Sequence, residues 1–209
     1  MLVMFKEKRE NTRNHVIISG TGRAGTTFLV KLLSNLGLET SFSQANFESN
    51  IDLKSMAGLE LDIRETGAPY IVKSPWICDY IDELLNNDQL KIDYAFIPLR
   101  DIHEAAKSRI MISANRDKVK YIKPSDAPGG LWGTDNPDEQ EYILHVKLLK
   151  LLLSLSARNI PVVFIHFPKM TLDPSYLYKK LMPILKEIEF QKFEEVFNST
   201  VRREHVHSY

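Results

Sequence analysis

The chain has 209 residues carrying 27 basic and 27 acidic side chains, so its formal net charge is zero and no polyanion-binding surface follows from the total. A hydrophobic fraction of 44% and a charged fraction of 26% are those of an ordinary globular domain with a proper core. Cys78 is the single cysteine, which excludes an intramolecular disulfide and favours a reducing compartment.

The opening segment, Met1 to Asn14, turns charged early and lacks the apolar core of a signal peptide; it reads as a short N-terminal extension. The β-branched run His15–Ser19 predicts a buried strand, and glycines follow at Gly20, Gly22 and Gly25. Thr26–Leu36 then predicts a helix, with Leu29, Leu32, Leu33 and Leu36 on one stripe and Gly37 as its stop. Glu39 to Gly67 is polar and weakly periodic. It predicts a loop with one or two short helices, long enough to point to a function.

Three more strands are expected at Tyr70–Lys73, Ile92–Leu99 and Ile160–Phe167. Helices should follow them at Asp79–Asn86, Asp101–Met111 and Pro174–Leu185. The Pro/Gly-rich segment 115–137 reads as a mobile loop, Asp138–Arg158 as a long amphipathic helix, and 190–209 as a C-terminal helix and tail. Strands alternating with helices predict a single α/β domain over residues 1–209. Its form is three-layered, α/β/α, about a mainly parallel sheet of P-loop NTPase-like type. No apolar run is long enough to span a bilayer, so the expected address is the cytoplasm. The strongest run, LLKLLLSLSA, suits a core or a homodimer contact equally.

The turn ISGTGRAGTTFL carries the chemistry. A glycine-rich turn between strand and helix directs backbone N–H groups and the positive end of a helix dipole at an anion. Here Gly20, Gly22 and Gly25 supply the path, Thr26 and Thr27 add hydroxyls, and Arg23 adds a planar set of charged donors. Nucleoside-triphosphate loops place a lysine directly after the last glycine, where this chain has Thr26. No apolar strand ends in a clear metal-holding aspartate; Asp101 comes closest. A donor handled by arginine and N–H groups, without a bound metal, is therefore expected. A second constellation, FIPLRDIHEAAKSRI, sets Arg100 at the end of a strand and Ser108 about two turns into the next helix. Asp101 and Glu104 have capping-box spacing at that helix start.

Together these motifs resemble those of PAPS-dependent sulfotransferases, particularly bacterial and carbohydrate-type members. GRAGTTF resembles the family's 5′-phosphosulfate loop, PKSGTTW, with Arg23 at the lysine and Phe28 at the tryptophan. Arg100 and Ser108 match the arginine and serine of its 3′-phosphate motif at the same spacing. VKSP, Val72 to Pro75, resembles the strand end whose lysine, here Lys73, lies near the transferred group. HFPKMTLDPSY is similar to the late YEDL…DP turn, with Asp173 and Pro174 as helix cap and first residue.

The resemblance implies that Gly22, Arg23, Ala24, Gly25, Thr26, Thr27, Phe28, Arg100 and Ser108 bind PAPS, leaving PAP as product. It gives Lys73 and Arg23 catalytic roles. It extends from Val16 to about Leu185. Pro75 stands where many cytosolic members carry a catalytic histidine, so the general base is sought among carboxylates. Glu48 and Glu60 lead, with Asp62 and Glu65 behind them; His103 reads as a surface or capping residue. Arg202 and Arg203 are the only counterparts of the family's basic C-terminal segment, and a frayed tail is the simpler reading. Ile102 and FPKM depart from the usual proline and YEDL. The acceptor, a sugar, lipid or small-molecule hydroxyl or amine, is left open. A P-loop small-molecule kinase and a nucleotide-binding module without turnover are the alternatives.

Overall fold

The computed structural model describes residues 12–202, so Met1 to Asn11 and the tail from Arg203, both named above, lie outside the described residues. Four strands form a wholly parallel sheet in the order β4-β1-β5-β6: β1 Arg13–Ile18, β4 Ile71–Lys73, β5 Leu90–Leu99 and β6 Val162–His166. Between β1 and β4 lies a small antiparallel hairpin of β2 (Ile51–Asp52) and β3 (Ala57–Gly58). The helices are α1 Thr26–Asn35, α2 Ile77–Leu85, α3 Ile102–Ala114, α4 Gln140–Ala157, α5 Lys169–Leu172, α6 Pro174–Leu185 and α7 Phe190–Thr200.

Alternation along the strands builds two separate cores. Val16, Ile18, Phe96 and Ile165 face one side and pack with α1, α6 and α7. Ile17, Val72, Ala95 and Ile97 face the other and pack with α2, α3 and α4. A strand buried on both faces has no polar side, which is why these segments are near-continuous apolar runs. The α/β three-layer arrangement expected from the sequence is the one observed.

Local chemistry sets the element ends. Asp101 caps α3, its carboxylate accepting from Glu104 N at 2.9 Å, and Asp173 caps α6 through Tyr176 N at 2.9 Å with Pro174 next. The region Glu39–Gly67 contains one 3₁₀ turn, Glu48–Asn50, together with the hairpin that its weak periodicity did not reveal. Segment 115–137, expected as a mobile loop, is pinned at its far end. Trp132 N donates to Gln140 Oε1 at 2.6 Å, and Gln140 Nε2 donates back to Trp132 O at 3.3 Å. In α4, Leu151 and Leu155 are buried, whereas Tyr142, Val146, Leu149 and Leu153 form an exposed stripe. The apolar run thus serves the core with one face only. Among the described residues no helix is long and apolar enough to cross a membrane.

Candidate functional site

Strand β1 delivers the chain to the carboxyl edge of the sheet, where Ser19 N still donates to Phe96 O at 3.2 Å. The backbone then turns through Gly22 (φ 66°), Arg23 (φ 55°) and Gly25 (φ 77°) into α1. At two of these positions glycine is favoured by φ, and a side chain would also displace a neighbour. A Cβ on Gly22 would lie 2.5 Å from Arg109 Nη2, and one on Gly25 would lie 2.9 Å from Met170 Cε. Thr26 and Thr27 open α1, whose first N–H groups have no intrahelical acceptor. Ala24 is wholly buried beneath the turn. A cavity of about 870 Å³ opens over this loop.

Six cations among the described residues line that cavity: Arg23, Lys31, Lys73, Arg100, Arg109 and Arg202. Arg23 donates from Nε to Ser108 Oγ at 3.1 Å and from Nη1 to Ser55 O at 2.5 Å. Arg100 donates to Arg23 O at 3.0 Å, lies 5.3 Å from the Phe167 ring centre, and has Glu104 3.9 Å away. The loop and the end of β5 are thereby joined through a main-chain oxygen. Arg109, only 5% exposed, donates to Gly130 O at 2.7 Å and to Thr21 O at 2.8 Å. Burial, and then the like charge of Arg23, pull its guanidinium down to about 9.

Lys73, at the end of β4, is 3% exposed. Its ammonium donates to Gly58 O at 2.7 Å and forms an ion pair with the Glu60 carboxylate. Burial lowers the Lys73 pKa, Glu60 opposes that shift, and Arg23 and Arg109 add to it. Confining several positive groups in a poorly solvated space costs free energy, and a bound anion relieves that cost.

The remaining sequence-selected residues fall in different places. Phe28 packs edge-on against Phe197 of α7, ring centres 5.7 Å apart, and lines the cavity. Glu48 lines the cavity near Lys31, whose pKa is lowered by burial and by Arg202 and supported by Glu48. Glu60 is held against Lys73. Asp62 is bonded to Arg64 at 2.7 Å, His103 is exposed and bonded to Glu141 at 2.8 Å, and neither they nor Glu65 line the cavity. Arg202, expected in a frayed tail, stands just beyond α7 in the cavity wall.

Arg109 was missed in the sequence, whereas the glycine and aromatic residues around Trp132 read there as a lid over the acceptor or an ordered turn. Arg109 directly follows Ser108, and its importance lies in contacts with Thr21 and Gly130 that spacing does not show. Trp132 is placed under the cavity with Arg109 5.1 Å and Lys147 4.5 Å from its ring, while its Nε1 donates to Asp79 at 3.2 Å. The sequence signal for Trp132 was the GG–Trp segment, whose glycines let the chain approach α3 closely. At Gly130 a Cβ would lie 2.5 Å from Ser113 Oγ.

The site can bind a multiply charged anion through N–H groups, hydroxyls and guanidinium groups. It also sets a carboxylate beside a buried ammonium. No protein-family model, curated protein or solved structure matches the chain.

Proposed function

We propose that the chain is a sulfotransferase on a P-loop-like fold, moving the sulfuryl group of PAPS to a hydroxyl or amine of a sugar, lipid or small molecule. The observation that carries this reading is the convergence of Arg23, Lys73, Arg100 and Arg109 on a glycine-rich strand-to-helix loop. That loop has Thr26 where phosphate-transferring loops have lysine. The positive-φ glycine path and the planar cationic donors suit a nucleotide with phosphates at two positions.

In this reading the N–H groups of Gly22 to Thr27, with both threonine hydroxyls, cradle the 5′ side. Arg100 and Ser108 hold the 3′-phosphate, and Phe28 approaches the base. PAPS supplies the activated sulfuryl group. Lys73 and Arg23 stabilise negative charge that develops on the departing phosphate oxygen, a role that needs positioning and electrostatics rather than covalent participation. Glu60 is favoured over Glu48 as the group that takes the acceptor's proton, because its carboxylate already adjoins Lys73. Glu48 is near Lys31 at another part of the wall.

Thermal shift tests the nucleotide and transfer assays test the chemistry. PAP at a hundred times its Kd should stabilise the protein by about 2.7 kcal/mol. ATP with Mg²⁺ should not do so. The reverse result would overturn the reading in favour of a kinase. Binding of PAP without sulfate transfer to a broad panel of sugar, lipid and small-molecule hydroxyls would favour a nucleotide-binding module.

A further inference from the structure

On the far side of the β2–β3 hairpin from the loop, a second cavity of about 540 Å³ lies between the hairpin turn, the second half of α3 and the segment 115–128. Ser108, Ala127 and Pro128 line both cavities, so the two share a wall. On the two loops that border it, three apolar side chains stand in solvent: Leu53 is 74%, Val119 92% and Ile122 79% exposed. Scattered single hydrophobes on a surface are ordinary, but three on two adjoining loops around one cavity mark a contact site.

The loop that carries Val119 and Ile122 is built, not loose. Arg116 donates to Tyr121 O at 2.9 Å, to Ser113 O at 2.7 Å and to Ile122 O at 3.1 Å. Asp117 accepts from Val119 N at 2.9 Å and from Lys120 N at 3.2 Å, and Tyr121 N donates to Asp117 O at 2.8 Å. These bonds fix a compact turn in which the two apolar side chains point away from the protein. The same turn concentrates charge. Residues 115–124 contain Arg116, Lys118, Lys120 and Lys123 against Asp117 alone, a local excess of three positive charges in a chain whose total is zero. On the facing hairpin Lys54 adds an exposed ammonium and Asp52 a carboxylate, so the excess over both loops stays at three.

We propose that this rim docks on an anionic lipid membrane, with Val119, Ile122 and Leu53 entering the headgroup boundary and the lysines facing acidic headgroups. Exposed apolar residues interleaved with lysine are the combination that such an interface rewards. Each basic residue near an acidic leaflet strengthens binding by about fivefold, and apolar burial adds to it. Because the rim adjoins the larger cavity through a shared wall, docking would bring that cavity to the bilayer surface. The docking itself does not depend on the sulfotransferase reading.

Vesicle flotation tests it. The full chain should float with phosphatidylcholine vesicles containing 30% phosphatidylglycerol at least tenfold more than with pure phosphatidylcholine, and 0.5 M salt should weaken the difference. V119D/I122D should lose at least tenfold. K118Q/K120Q/K123Q should lose roughly a hundredfold, three charges at about fivefold each. Unchanged circular dichroism and an unchanged thermal shift with PAP would show that both variants keep the fold and the nucleotide site. Equal binding to both vesicle types, no binding to either, or undiminished flotation of both variants would overturn the proposal. So would loss of self-association in V119D/I122D without any vesicle binding by the parent chain, which would identify a second copy as the occupant.

Discussion

Lys73 and Glu60 are bonded to one another at the edge of the sheet, and the carbonyl of Gly58 accepts a second bond from the same ammonium. A lysine at the end of a buried strand is thus paired with a carboxylate two residues beyond the β2–β3 hairpin, which opposes the loss of its proton that burial favours. The pair combines a cation suited to a leaving oxygen with an acceptor suited to a proton.

Substituting either member should separate these roles. Lys73→Ala should reduce sulfate transfer by at least a hundredfold and weaken PAP binding, since one oriented charge at a developing anion contributes about 3 kcal/mol. Glu60→Gln keeps an oxygen for the ammonium, so PAP binding should persist while transfer falls by about a hundredfold. Single-turnover rates alongside PAP titrations check both. Equal loss of binding and transfer in Glu60→Gln would assign Glu60 a purely structural role.

Arg100→Ala should weaken PAP by about 2 kcal/mol, the scale of a charge-assisted bond to phosphate. Adenosine 5′-phosphosulfate, which lacks the 3′-phosphate, should be affected far less. Calorimetric titration of both ligands decides, and unchanged PAP affinity would remove Arg100 from the 3′ side.

Gly22→Ala and Gly37→Ala form a matched pair. Both positions have positive φ, 66° and 83°, but only the Gly22 Cβ meets a neighbour, Arg109 Nη2 at 2.5 Å, whereas nothing lies within 4 Å at Gly37. Gly37→Ala should cost about 1 kcal/mol of stability and leave PAP binding intact. Gly22→Ala should cost about 2 kcal/mol or more and abolish binding by displacing Arg109. Urea unfolding with and without PAP reads both quantities.

The pH dependence of PAP binding has a definite sign. In the free protein Arg109 is drawn down to about 9 and Lys73 below its ordinary value. An anion favours the protonated form of each. Affinity should therefore be full near neutrality and decline as pH rises through about 9. In Arg109→Lys the decline should begin at lower pH, because a buried ammonium loses its proton more readily than a guanidinium. Titration from pH 7 to 10 measures it.

Acid should destabilise the fold through His15. Its ring is buried, Nδ1 lies 2.7 Å from Pro69 O, and burial lowers its pKa below 6.5. As pH falls below 6.5 the unfolded chain takes up the proton first. Stability is thus complete above 6.5 and declines towards the lower, folded value. His15→Leu should flatten the difference between pH 7.5 and pH 5 in urea midpoints, at a cost of about 1 kcal/mol at pH 7.5 from the lost bond.

The elements were largely legible because each is encoded locally. Val16, Ile17 and Ile18 form a run that suits a strand buried on both faces, and Asp101 and Asp173 mark helix starts by caps that act within three residues. The hairpin at Ile51–Gly58 was not legible. Its strands are two residues each, too short for an alternating pattern, and they are held in place by contacts such as Thr27 Oγ1 to Gly58 O at 3.4 Å. Glu48 and Glu60 were indistinguishable as loop carboxylates. Only folding sets Glu60 against Lys73 and Glu48 near Lys31.

By itself the sequence determined the alternation of strand and helix, the glycine path at Gly22 and Gly25, the place of Arg23 within that path, and the positions of Lys73 and Arg100 at strand ends. Apolar period, glycine content and capping are properties of neighbouring residues. The tertiary structure decided that Arg109 and Trp132 join the site, that Glu60 meets Lys73, and that Val119 and Ile122 are held out to solvent. Those outcomes depend on contacts between distant segments, and burial and charge at such contacts are sums over neighbours that no local pattern contains.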